Sequence, residues 1–171
     1  GTNALDITTA ASIRSGANSL SKFSIVSLVN PSKTISASGS LVIDKRFFVG
    51  SGVVGGTFAT NGNDVTVNNG VEASGGNVII NGGTFTVTAG GFNIGSAETS
   101  TVTLSSGTLN TNALTIGSPS FSGTFNQTSA NATTVNVNGD VTINSTGSYT
   151  FAGAGVKAIN VTGNWTNNGS Y

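Results

Sequence analysis

The 171-residue chain has no cysteine, no histidine and no methionine, and only 2 prolines. Without histidine or cysteine it cannot build a Ser-His-Asp triad, a thiol nucleophile or a zinc site of imidazole and thiolate ligands. No disulfide can form, which is compatible with oxidising surroundings but records no compartment. Charge is also scarce. Lys+Arg and Asp+Glu number 6 each and make up 7% of the chain, against about 25% in an ordinary soluble domain. The basic footprint of a nucleic-acid-binding protein is missing. No apolar run approaches the ~18 residues of a membrane-spanning helix. A chain that opens at Gly1 without Met is expected to have lost an N-terminal segment, most simply a cleaved signal peptide, which points to a secreted or surface-exposed protein.

What remains is a composition of corners and strands. Gly, Ser, Thr and Asn fill more than half of the positions, 25 of them Gly. Thr and Val favour strands, while Gly and Asn favour tight turns. With 36% apolar residues and zero net charge, the chain escapes the low-hydrophobicity, high-charge signature of disorder. Its length suits one domain with a continuous core.

The decisive pattern is an internal repeat. Val65-Thr66-Val67, Phe92-Asn93-Ile94, Leu114-Thr115-Ile116, Val141-Thr142-Ile143 and Trp165-Thr166-Asn167 share an apolar-polar-apolar pattern, lost only at Asn167, at intervals of roughly 22–27 residues. A second series precedes it, in Phe58-Ala59-Thr60, Phe85-Thr86-Val87, Leu109-Asn110-Thr111, Val135-Asn136-Val137 and Ile159-Asn160-Val161. A third follows, in Val78-Ile79-Ile80, Val102-Thr103-Leu104, Phe125-Asn126-Gln127 and Tyr149-Thr150-Phe151.

Three short strands recurring in fixed order predict an all-β, right-handed parallel β-helix, or β-solenoid, of about 24 residues per coil. Each coil contributes one strand to each of three sheets, with Phe92, Leu114 and Val141 stacked in one interior column. Ile35-Ser36-Ala37, Leu41-Val42-Ile43 and Phe47-Phe48-Val49 fit a further coil, and Leu5 to Ile7, Ser12-Ile13 and Phe23 to Leu28 offer another. About seven coils, roughly 34 Å long, result. The alternative is an antiparallel β-sandwich, which also uses many short strands and for which the five Asn-Gly steps at Asn61, Asn69, Asn81, Asn138 and Asn168 are hairpin signals. A sandwich has no reason to repeat every ~24 residues. The chain therefore divides into residues 1–33, an N-terminal coil, cap or strand-exchange segment, and residues 34–171, the solenoid repeats.

The runs 107–117 (GTLNTNALTIG), 123–128 (GTFNQT), 135–143 (VNVNGDVTI) and 163–170 (GNWTNNGS) resemble the β-strand repeats of autotransporter passengers and of PEP-CTERM and Bacteroidetes secreted surface proteins. The resemblance covers about residues 55–171. It implies an architecture and a life at a bacterial surface, and transfers no catalytic or binding residue.

Candidate sites are few. The acids Asp6, Asp44, Asp64, Glu72, Glu98 and Asp140 are scattered. Asp64 and Asp140 are both expected just before strands of the first-named series, at Val65 and Val141, but about three coils apart, beyond the ~9.5 Å limit for paired glycosidase carboxylates. No catalytic, cofactor or metal residue is assigned, and the chain is expected not to be an enzyme. Asp44-Lys45-Arg46 reads as a solvated turn. Six sequons, at Asn126, Asn131, Asn144, Asn160, Asn164 and Asn168, are expected to be bare in a bacterial protein. Thr84 to Thr88 and Thr101 to Thr103 alternate Thr as ice-binding solenoids do, but fall in different strand columns, so no regular array is expected between them.

The function expected is structural: a rod, stalk or subunit of an extracellular filament that joins head to tail with its own copies. The alternative is an adhesin for glycan or protein partners. Residues 155–171 supply two strands of a coil, leaving a vacancy for strand addition. Trp165, Tyr171, Phe23 and Ile25 are the candidate assembly residues.

Overall fold

Strict alternation in a three-residue strand buries its first and third side chains and turns the second outward. That is the pattern in β4 (Leu41–Ile43), β7 (Val65–Val67), β10 (Phe92–Ile94), β12 (Leu114–Ile116) and β15 (Val141–Ile143). The computed structural model describes residues 11–13, 26–28, 33–50 and 55–171. Among them every strand pairing is parallel, and no helix occurs. The fold is the β-solenoid.

The strands form three columns. The first runs through β1 (Ala11–Ile13), β3 (Thr34–Ala37), β6 (Thr57–Ala59), the start of β9 (Asn77–Val87), the start of β11 (Ser100–Thr111), β13 (Gly123–Thr128) and β16 (Gly147–Ala152). The second holds β4, β7, the ends of β9 and β11, β14 (Thr133–Val137) and β17 (Lys157–Val161). The third is a seven-stranded sheet of β2 (Val26–Leu28), β5 (Arg46–Val49), β8 (Gly70–Ala73), β10, β12, β15 and β18 (Trp165–Asn167). Within it Phe92, Leu114 and Val141 are register partners, each fully buried.

Two details depart from the sequence reading. The first and second columns are one 11-stranded sheet, because β9 and β11 run unbroken through the corner between them, with register shifts about Ser106. The third coil is also displaced by one column. Val65–Val67 pairs with Leu41–Ile43 and with the end of β9, and so lies in the second column, while β6 with Phe58 lies in the first. The strand that fills the third column is β8, where Val71 and Ala73 face inward and Glu72 outward.

Corners demand glycine where the backbone turns with positive φ against the coil below. Gly83 (φ 70°) and Gly107 (φ 88°) stack at the bend inside β9 and β11. A Cβ on Gly107 would overlap the Gly83 carbonyl, and one on Gly83 would overlap the carbonyl of Asn63. Only glycine meets both requirements.

The core is a continuous stack of aliphatic and aromatic side chains. Phe47, Phe58, Phe85 and Phe92 form a chain of ring contacts with centroids 4.9, 6.5 and 5.6 Å apart, and Phe125 meets Tyr149 at 4.8 Å. Each buried ring contributes about 1.5–3 kcal/mol by leaving water. Residues 155–171 supply the two strands expected of them, β17 and β18, and Ser170 bridges Ser148 in parallel, so a single residue enters the position expected to be vacant.

Candidate functional site

Two of the acids bond the backbone of the next coil. Asp64 Oδ1 accepts the Thr84 N–H at 2.8 Å, and Asp140 Oδ1 accepts the Asn164 N–H at 2.8 Å, each tying one coil to the next. A carboxylate accepting a backbone N–H at a corner satisfies a donor that no ladder reaches. Asp64 precedes β7 in the second column and Asp140 precedes β15 in the third, so the two do not share the column assigned to them from the sequence. Asp44 accepts the side-chain amide of Asn68 at 3.3 Å. Residues 44–45 form the bend before β5, whose first residue, Arg46, pairs with Glu72 and lies over the Phe48 ring at 4.8 Å. Asp6 lies outside the described residues. Among the described residues no three acidic side chains come together.

A polar cluster crosses the interior of the last two coils. Tyr149 donates its hydroxyl to Gln127 Oε1 at 2.9 Å, and Gln127 Nε2 donates to Thr133 Oγ1 at 2.9 Å and to the Thr133 carbonyl at 3.1 Å. All three residues are buried. Burial, with the nearby Tyr171 adding to it, pushes the Tyr149 phenol well above its ordinary value and keeps it neutral. The inward parity of Gln127 in β13 was the available sequence signal for this cluster.

Among the described residues the exposed large apolar side chains all lie on the C-terminal coil. Trp165 and Tyr171, both named from the sequence, do come together: their rings meet edge to face at 5.1 Å, and both contact Tyr149, at 6.0 and 5.9 Å. Phe151 stacks on Tyr149 at 5.0 Å and meets Tyr171 edge to face. These rings close only part of the coil. Phe151 is 41% exposed, Val156 73%, Trp165 37% and Tyr171 65%, and Ile159 and Val161 are only partly covered. Phe151 and Val156 were missed in the sequence, although Phe151 holds the inward row as register partner of the buried Gln127. Phe23 and Ile25, the other assembly candidates, lie outside the described residues.

Lys157 stands on the same coil in register with the inward-facing Thr133. Its ammonium donates to the carbonyls of Ser129 (2.6 Å), Gly153 (2.8 Å) and Gly155 (2.6 Å). The one charge of this coil's strands is thereby tied down at its corner.

No protein-family model matches the chain, and neither a curated protein nor a solved structure does. The functional reading therefore rests on geometry.

Proposed function

We propose that the chain is a secreted, non-enzymatic structural protein of a bacterial surface: a β-solenoid rod that joins head to tail with its own copies into a filament. The observation that carries this reading is the last coil: among the described residues β17 and β18 each have a strand partner on one side only, and Phe151, Val156, Trp165 and Tyr171 are exposed beside them, a face that a further coil, of this chain or of another copy, would cover. Such an edge is a template for further strands, and a heterologous contact that does not close generates an open filament. The structural use of Asp64, Asp140, Arg46 and Glu72 also supports a framework rather than a catalyst.

Negative-stain electron microscopy of the purified chain tests the proposal. Filaments are expected, and they should persist in 1 M salt, at which screening (a Debye length of ~3 Å) dissolves ion-pair interfaces but not apolar stacking and backbone hydrogen bonds. Val156→Lys with Tyr171→Lys should abolish them. A monodisperse monomer from the unaltered chain, or filaments that survive both substitutions, overturns the reading.

A further inference from the structure

The outward rows of the 11-stranded sheet form a lattice. Thr84, Thr108, Thr134 and Ala158 are successive register partners in the second column, and beside them run Thr86, Asn110, Asn136 and Asn160. In the first column Thr101, Thr124 and Ser148 form one row, and Thr103, Asn126 and Thr150 another. Thr84–Thr88 and Thr101–Thr103 do lie in different columns, as the sequence suggested. Each column nevertheless builds its own array, and β9 and β11 run unbroken through both. Parallel strands space the rows' members about 4.8 Å apart along the solenoid, and alternate residues stand about 6.6 Å apart across it.

The array is ordered without any partner. Asn136 donates its amide to Asn110 Oδ1, and Asn160 donates to Asn136 Oδ1, both at 2.8 Å. Thr150 donates its hydroxyl to Asn126. Side chains already fixed lose little entropy on binding.

Three properties narrow the occupant. A surface that repeats in two directions matches a ligand that repeats in two directions, which is a crystalline face rather than a small molecule or a single polymer chain. The outward rows of coils from residue 77 to residue 162 carry no charged side chain, so they have nothing to complement an ionic mineral or an acidic polysaccharide. They also carry no outward aromatic ring, the flat platform that stacks on sugar faces. A neutral lattice of oxygen donors and acceptors is left, and ice is that lattice: its surface oxygens repeat on the scale of these rows. We infer that the Thr/Asn face of β9, β11, β13 and β14 binds ice, with Thr108 and Thr134 at its centre.

The test is thermal hysteresis and inhibition of ice recrystallisation by the full chain, with circular dichroism and melting temperature recorded for each variant. The unaltered chain should shape growing ice and halt recrystallisation. Thr108→Lys and Thr134→Lys place a hydrated ammonium in the middle of the array without touching the core. Each should weaken the activity about tenfold, or ~1.4 kcal/mol, with an unchanged spectrum. Thr115→Lys, outward on the seven-stranded sheet, should leave it intact and serves as the fold control. Absence of ice activity in the unaltered chain overturns the inference, as do equal losses from all three substitutions. Capture by crystalline cellulose or chitin without ice activity overturns it too, and assigns the face to a neutral polysaccharide. None of these outcomes depends on whether the chain forms filaments.

Discussion

Removing the Tyr149 hydroxyl tests how the interior tolerates polarity. In Tyr149→Phe the ring keeps its contacts with Phe125, 4.8 Å away, and with Phe151, so packing is conserved. What is lost is the hydrogen bond to Gln127 Oε1, on a side chain with no solvent exposure. A buried acceptor stripped of its donor costs about 1–3 kcal/mol, more than the net worth of the bond itself. Gln127→Leu should cost a similar amount, because the Tyr149 hydroxyl and the Thr133 oxygens lose their partner together. The double variant should then be less destabilised than the sum of the singles, by about 0.5–3 kcal/mol, as coupled neighbours are. Urea denaturation of the four proteins, at constant m-value, measures this directly. Single losses that add to within about 0.3–0.5 kcal/mol would mean that the hydroxyl and the amide do not act on each other, and would refute the reasoning.

Three further outcomes follow from the same geometry. Leu114→Ala, between its register partners Phe92 and Val141 and fully buried, should cost about 2–5 kcal/mol in urea unfolding; Thr115→Ala, outward on the same strand, should stay within about 0.5 kcal/mol. Gly107→Ala, at φ 88° and against the Gly83 carbonyl, should destabilise by more than about 1 kcal/mol through strain at the corner, read as a lower melting temperature. The raised Tyr149 pKa gives a signed pH effect: above the ordinary phenol value of about 10, the unfolded chain releases a proton that the folded chain retains, so stability is present below that pH and falls as pH rises through it. Thermal melts between pH 8 and pH 11 should show this fall, and Tyr149→Phe should flatten it.

The repeat was legible because one physical constraint recurs in every coil: an inward apolar pair around an outward polar residue, followed by a corner. That constraint located β10, β12, β15, β14 and β13 and placed them in their columns. It failed in the third coil, where β8 offers only Val71 and Ala73 as its inward pair, the smallest such signal in its column, while Phe58 imitates the second-column Phe85 at a similar interval. The merging of two columns into one sheet was hidden because a Gly-Gly step such as Gly82-Gly83 has the composition of a corner, whereas its conformation lets the strand bend and continue. Of the candidate surface, Trp165 and Tyr171 were readable as aromatics at the end of the repeats. Phe151 and Val156 were not, since their exposure comes from their place on the last coil rather than from any local pattern. The polar cluster of Tyr149, Gln127 and Thr133 depends on three inward side chains meeting from three strands, β16, β13 and β14, which spacing alone does not reveal.

The register of the coils underlies the stacked core and its outer rows, and a chain with no cysteine of its own can report it. Thr115, Thr142 and Thr166 are successive outward partners on β12, β15 and β18. Adjacent strands put their Cα atoms about 4.8 Å apart, inside the span a disulfide bridges, whereas two coils apart they exceed its limit of about 7 Å. Under mild oxidation in dilute solution, Thr115→Cys with Thr142→Cys, and Thr142→Cys with Thr166→Cys, should each form an intramolecular disulfide in nearly all molecules, and Thr115→Cys with Thr166→Cys should stay reduced. Efficient bridging of the distant pair, with the two adjacent pairs left as free thiols, would contradict the parallel stacking of these coils.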